Sequence, residues 1–209
     1  MMPVYKHRMV SIPNPRKRFL FVHIPRTAGR FFQANLKLNN FDPEGYSNGS
    51  IEGIEILHFH RELYEKYLPD IDNIPHIAIV RDPIDRFFGT SSFLKRMYGG
   101  DIQEAMEDPI MFSMMLQNFP LTEAENWYRS QMDFISDKTQ LWKLEDGFGE
   151  DFNEWMTEIL GVPFVVRKVP YKKPTTDESN KLKKSAKLID NVRNLYRRDI
   201  ETLYPELVA

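Results

Sequence analysis

Two short, unbroken apolar runs organise the first half of the chain. Residues 17–24 (K-R-F-L-F-V-H-I) and His76–Val80 (H-I-A-I-V) have the length and bounding turn residues of strands buried on both faces. A helical rhythm follows each run. Phe31, Phe32, Ala34, Leu36 and Leu38 fall on the apolar positions of a helix over 31–38. Pro83 occupies a first-turn position ahead of a helix over 84–98. Weaker strand patterns lie at 54–58, 139–144 and 163–169. Helical patterns lie at 61–68, at 151–160 with Gly161 as the stop, and across 104–129 with interruptions at Pro109 and Pro120. Residues 39–53 are rich in Asn, Gly, Ser and Pro and read as a loop. A long C-terminal helix is predicted over 175–205, capped by 175–177 and apolar at Leu182, Ile189, Val192, Tyr196, Ile200 and Leu203. Strands alternating with helices predict an α/β fold: a mainly parallel sheet flanked by helices, as a single domain over residues 1–209.

Composition narrows the function classes. The 209 residues are 42% hydrophobic and 28% charged, a globular mixture. There is no cysteine, which excludes disulfides, thiolate metal ligands and a cysteine nucleophile. No apolar stretch near the start approaches the ~20 residues of a membrane helix, and no secretion-signal run is visible, so a cytoplasmic protein without membrane association is expected. The net charge of -2 conceals an asymmetry. Residues 1–41 hold eight Lys or Arg and no acid, residues 101–160 hold 14 acids against three bases, and residues 161–209 hold eleven bases against six acids. A basic N-terminal arm over 1–17 and a basic C-terminal helix therefore either flank an anion or form solvated faces. Nucleic acid is not the expected partner, because the middle of the chain is acidic and no basic stripe with interleaved aromatics occurs.

Two segments carry candidate chemistry. In F-V-H-I-P-R-T-A-G-R-F (21–31) a strand delivers the chain to a small-residue loop and then to a helix N-terminus, so the amides of Ala28, Gly29, Arg30 and Phe31 can converge on an anion. Arg26 and Arg30 add forked donors, and Thr27 a hydroxyl. The G-x-x-x-x-G-K-[ST] loop of nucleoside triphosphatases is absent, which argues against an ATPase or kinase. The same segment also fits an ordinary strand-to-helix turn with surface arginines. In I-A-I-V-R-D-P-I-D-R-F-F (77–88) Arg81 sits at the C-terminal end of a buried strand, the edge where open α/β sheets bind ligands. Asp82 either orients that guanidinium or caps the next helix.

H-I-P-R-T-A-G-R followed by V-R-D-P-I-D-R-F-F resembles the sulfotransferases that use 3′-phosphoadenosine 5′-phosphosulfate (PAPS), and within them the carbohydrate group that includes the heparan sulfate 2-O-sulfotransferases. Weaker similarity continues through L-W-K-L-E-D (141–146) and L-Y-x-x-D (195–199). The resemblance implies a P-loop-like sheet. It also implies a 5′-phosphosulfate site at Arg26, Thr27, Ala28, Gly29, Arg30 and Phe31, and a 3′-phosphate site at Arg81, Gly89 and Thr90, with Lys173 of the late nucleotide loop. Arg26 stands where the family usually has lysine, Arg30 and Phe31 replace hydroxyl residues, and Gly89 replaces a serine. The implied reaction moves a sulfuryl group from PAPS to a hydroxyl of a carbohydrate or other small acceptor, leaves PAP, and requires no metal. The alternative is a protein that binds PAP or PAPS with lost or different transfer chemistry.

Such a transfer needs a base for the acceptor hydroxyl, and histidine suits that role near neutral pH. L-H-F-H (57–60) lies between the two motifs and resembles the family's H-x-H segment. Residues two apart on a strand share a face, so His58 and His60 are expected to face one cleft, His60 as base and His58 as its partner or substitute. His23 is expected to be buried in the first strand, and His7 and His76 have no supporting context. Trp127, Tyr128 and Tyr98 are read as core residues ahead of a sugar-stacking surface.

Overall fold

The computed structural model describes residues 3–8, 17–44, 49–51, 54–68, 70–98, 123–169 and 186–208. The described strands are β1 (Val4–His7), β2 (Arg18–Val22), β3 (Phe41–Pro43), β4 (Ser50–Ile51), β5 (Ile54–Glu55), β6 (His76–Val80) and β7 (Thr139–Lys143). The helices are α1 (Gly29–Leu38), α2 (Arg61–Tyr67), α3 (Pro83–Tyr98), α4 (Glu123–Tyr128), α5 (Glu150–Leu160), α6 (Ala186–Leu195) and α7 (Arg197–Leu203). Five strands form one sheet in the order β3-β1-β2-β6-β7, and β4 pairs with β5 in a separate short hairpin.

The sheet is mixed, not mainly parallel. β6 pairs in parallel with β2 and with β7, whereas β1 lies antiparallel between β2 and β3. The expected N-terminal arm therefore contributes a strand at 4–7. Val4 and Tyr5 are buried there, and the Tyr5 ring stacks on Phe19 at 5.6 Å. Burial of those two side chains makes the segment part of the sheet despite its basic neighbours.

Alternation along the two central strands builds a core on each face. Phe19, Phe21, Ile77 and Ile79 face α1 and α5, where they meet Phe32, Leu36, Phe152 and Met156. Leu20, Val22, Ala78 and Val80 face the opposite layer, which holds Leu63 and Tyr64 of α2 and Leu203 of α7. A third cluster joins Phe87 and Phe88 of α3 to Tyr128 of α4 and to Leu188, Val192 and Tyr196. Tyr128 is thus core, as expected, and Trp127 packs partly buried against the same cluster.

Three other expectations change. Residues 163–169 form no strand. Their amides at Val165, Val166 and Arg167 donate to the side-chain oxygens of Asn39, Asn153 and Asn35 at 2.9, 2.8 and 2.6 Å, so three asparagines replace a ladder. The strand expected at 54–58 stops after Glu55 and becomes a 3-10 turn over Ile56–His58. The C-terminal helix is broken at Tyr196, whose hydroxyl donates to the Tyr128 carbonyl at 2.7 Å. The expected cap at 175–177, most of the 104–129 stretch and the Tyr98 side chain lie outside the described residues.

Candidate functional site

β2 and β6 run parallel with Val22 opposite Ala78, β6 continuing to Val80, so the segments that leave them, 23–30 and 81–85, emerge at the same end of the sheet. The first is strained. Arg26 (φ 70°) and Ala28 (φ 66°) both occupy the left-handed region, which non-glycine residues rarely adopt. Left-handed residues interleaved with right-handed ones curl successive N–H groups toward one side. No side chain caps α1 and its first turn holds no acid, which leaves the first-turn amides available as donors. Backbone strain of this kind persists where the surroundings enforce it.

His23 is one of the enforcing groups. A Cβ added to Gly29 would lie 1.7 Å from His23 Nε2, so the imidazole rests directly on the glycine backbone. The ring also stacks on Phe21 at 5.3 Å and meets His58 edge-on at 4.7 Å. Burial holds its pKa well below the ordinary imidazole value, with His58 and Arg30 adding to the depression. His23 is therefore buried, as expected, but it is also part of the loop's support.

Thr27 does not play its expected part. It is fully buried, and its hydroxyl donates to the Ile24 carbonyl at 2.8 Å, which ties the loop to itself. Phe31 turns toward Phe148 at 4.9 Å and contributes its amide rather than its ring to the helix start. Arg30 is exposed on the first turn of α1.

The two arginines singled out in the sequence come together over α3. Arg26 Nε donates to the Gly89 carbonyl at 3.1 Å, and Arg81 Nη1 donates to the Arg26 carbonyl at 3.3 Å. A Cβ on Gly89 would lie 3.0 Å from Arg81 Nη1 and 3.9 Å from Arg26 Nε. The glycine thus leaves room for both guanidinium groups against the helix backbone. Arg26 also lies over the Phe93 ring at 5.0 Å, and Asp85 stands 3.9 Å from Arg81. Thr90 is not presented with them: it is fully buried and its hydroxyl donates to the Arg86 carbonyl at 3.1 Å. Asp82 caps α3, accepting from the amides of Ile84 and Asp85 at 2.7 and 3.0 Å. Lys173 lies outside the described residues.

Arg86 is a fully buried cation that sequence reasoning left without a role. Its Nε donates to the Pro25 carbonyl at 3.2 Å, and its Nη2 donates to the carbonyls of Trp127 and Arg129 at 3.1 and 2.5 Å. Its face lies 5.6 Å from the Tyr196 ring. One side chain thereby fixes the residue before Arg26 and the chain that follows α4. The second arginine of R-D-P-x-x-R was the available signal for it.

The histidine pair is arranged differently from the expectation. The 3-10 turn removes the shared strand face. His58 is buried against His23 and, at 5.8 Å, Trp127, with Nδ1 3.6 Å from a carboxylate oxygen of Glu55. Its carbonyl accepts from the Asn126 amide at 2.7 Å. His60, also buried, occupies the residue before α2, and its carbonyl accepts from the amides of Leu63 and Tyr64. His76 is structural, its Nε2 3.0 Å from the Ile71 carbonyl.

Among the described residues no helix is long and apolar enough to cross a membrane. Comparison with protein-family models, with curated proteins and with solved structures returns no match.

Proposed function

We propose that the chain is a P-loop-like sulfotransferase that carries a sulfuryl group from PAPS to a hydroxyl of a carbohydrate or other small acceptor. One observation supports the reading: Arg26, in the loop after β2, and Arg81, directly after β6, converge beside Gly89, where both guanidinium groups would be available to a doubly anionic nucleotide. The donor set fits such a ligand. Two forked cations, a curled loop and an uncapped helix start all favour oxyanions.

When bound, PAPS supplies an activated sulfuryl group on a phosphate leaving group. Arg26, with the first-turn amides of α1, holds the 5′ end and neutralises charge where it develops, often the largest catalytic contribution. Arg81 holds the 3′-phosphate. The proton of the acceptor hydroxyl passes to a histidine. We assign that role to His58 in preference to His60, because the His58 ring meets His23, which in turn rests on Gly29 of the loop. Glu55 stands 3.6 Å from its Nδ1.

Titration of the protein with PAP, 5′-AMP and ATP, followed by turnover of sulfur-labelled PAPS against a panel of hydroxyl acceptors, tests the reading. Preferential PAP binding with label transfer is expected. PAP binding without transfer to any acceptor favours the alternative, a nucleotide-binding protein of other chemistry, and failure to prefer PAP over 5′-AMP rejects both. His58→Ala is expected to abolish transfer with PAP affinity retained; loss confined to His60→Ala would move the base to that residue.

A further inference from the structure

We infer that Gln131 is a positioning residue for Arg81, held in place by Asp199, and that this buried relay sets the selectivity for a 3′-phosphate. The inference rests on the nucleotide reading above for its ligand, but on separate residues for its geometry.

The Gln131 side chain is fully buried and spans the backbone of Arg81. Its Oε1 accepts from the Arg81 amide at 3.0 Å, and its Nε2 donates to the Arg81 carbonyl at 2.7 Å. The amide acts as one residue of an added strand placed just where β6 ends, and so fixes the direction in which the Arg81 side chain leaves the sheet edge. A glutamine suits the task because one planar group carries both a donor and an acceptor.

Gln131 is itself fixed. It begins a 3-10 turn over Gln131–Asp133 whose amides meet the carboxylate of Asp199, in the first turn of α7. Asp199 is fully buried. One of its oxygens accepts from the Gln131 amide at 2.8 Å, and the other accepts from the Met132 amide at 3.1 Å and from the Ser130 hydroxyl. The break in the helix at Tyr196 allows α7 to deliver this carboxylate. Arg86 binds the same segment from its other end, at Trp127 and Arg129, and continues to Pro25. Residues 127–132 are therefore a common frame: Gln131 ties it to Arg81, and Arg86 ties it to the residue before Arg26.

The test is Gln131→Met, which keeps the volume and removes both hydrogen bonds. PAP affinity is expected to fall about tenfold while 5′-AMP affinity stays within roughly twofold, because only the 3′-phosphate depends on Arg81's direction. An equal fall for both nucleotides, or none, overturns the inference. Amide exchange at Arg81 supplies a readout that needs no nucleotide: at least about tenfold faster exchange in Gln131→Met, with Ile79 unchanged, is expected. Unaltered exchange at Arg81 overturns the relay whatever the nucleotide data say. Should wild-type protein fail to prefer PAP over 5′-AMP, the sulfotransferase reading falls and the exchange result alone decides the relay. If Gln131→Met does not fold, Asp199→Asn, which keeps the side-chain shape, is read the same way: faster Arg81 exchange supports the relay and unchanged exchange rejects it.

Discussion

Replacing Gly29 by alanine is a one-carbon perturbation with a large expected consequence. Gly29 opens α1 without a left-handed φ, so the backbone accepts any L-residue, and alanine is the better helix former by up to ~1 kcal/mol. Propensity alone predicts stabilisation. The packing predicts the reverse, since the new Cβ would sit 1.7 Å from His23 Nε2. Ordinary nonbonded contact needs about 3.5 Å, so the ring would have to retreat by roughly 2 Å. It has little room to do so, being stacked on Phe21 and edge-on to His58. Overpacking of this kind costs about 1–3 kcal/mol, and the upper end applies where the displaced group is enclosed. At about 2–4 °C per kcal/mol for a chain of this size, the melting temperature should fall by roughly 6–12 °C. Denaturant unfolding of wild type, Gly29→Ala, His23→Ala and the double variant isolates the contact, provided that the slope with denaturant stays constant. With the imidazole gone, the alanine should be neutral or mildly stabilising, for a coupling of about 2–4 kcal/mol. A stable Gly29→Ala protein, or equal destabilisation by the alanine in both backgrounds, would refute the claim that His23 supports the loop.

Arg81→Ala should weaken PAP binding by roughly 10- to 100-fold, the range for a lost charge-assisted hydrogen bond, and leave 5′-AMP binding nearly unchanged by calorimetry. Arg86→Lys, which keeps the charge but not the fork, should cost about 3 kcal/mol because buried carbonyls lose their donors; a shift in urea midpoint worth less than about 1 kcal/mol would contradict the clamp. Stability should fall as the pH drops below about 6.5, because burial depresses the folded-state values of His23, His76 and His7 and the unfolded chain then binds more protons. His23→Gln should flatten the fall in urea midpoint between pH 7 and 5, and an unchanged slope would show that His23 does not carry it.

What the sequence revealed follows from how local each signal is. β2, β6 and α3 are legible because an apolar run or a proline marks them within a few residues. The antiparallel side of the sheet is not, since β1 and β3 are only four and three residues long and their pairing depends on partners up to 38 positions away. The 163–169 segment has the composition of a strand, yet its amides are claimed by asparagines at 35, 39 and 153, a choice made by tertiary packing. At the site, Arg26 and Arg81 could be picked out because strand ends are predictable. The direction of the Thr27 and Thr90 hydroxyls is not legible in the sequence, because a hydroxyl's nearest acceptor is often its own backbone. Gln131 and Asp199 carried no local mark, as each acts through a backbone about 50 to 70 residues away.

The choice of acceptors for the site's arginines has an electrostatic consequence. Arg26 donates to the Gly89 carbonyl, Arg81 to the Arg26 carbonyl, and Arg86 to the carbonyls of Pro25, Trp127 and Arg129. A carbonyl dipole orients a guanidinium without cancelling its charge, whereas a carboxylate does both. Held this way, the guanidinium groups are oriented by backbone dipoles, with the Asp85 carboxylate 3.9 Å from Arg81. On the proposed reading, the carbonyl contacts that orient the two guanidinium groups leave N–H donors for the phosphates of the nucleotide, so the geometry is set before the ligand arrives.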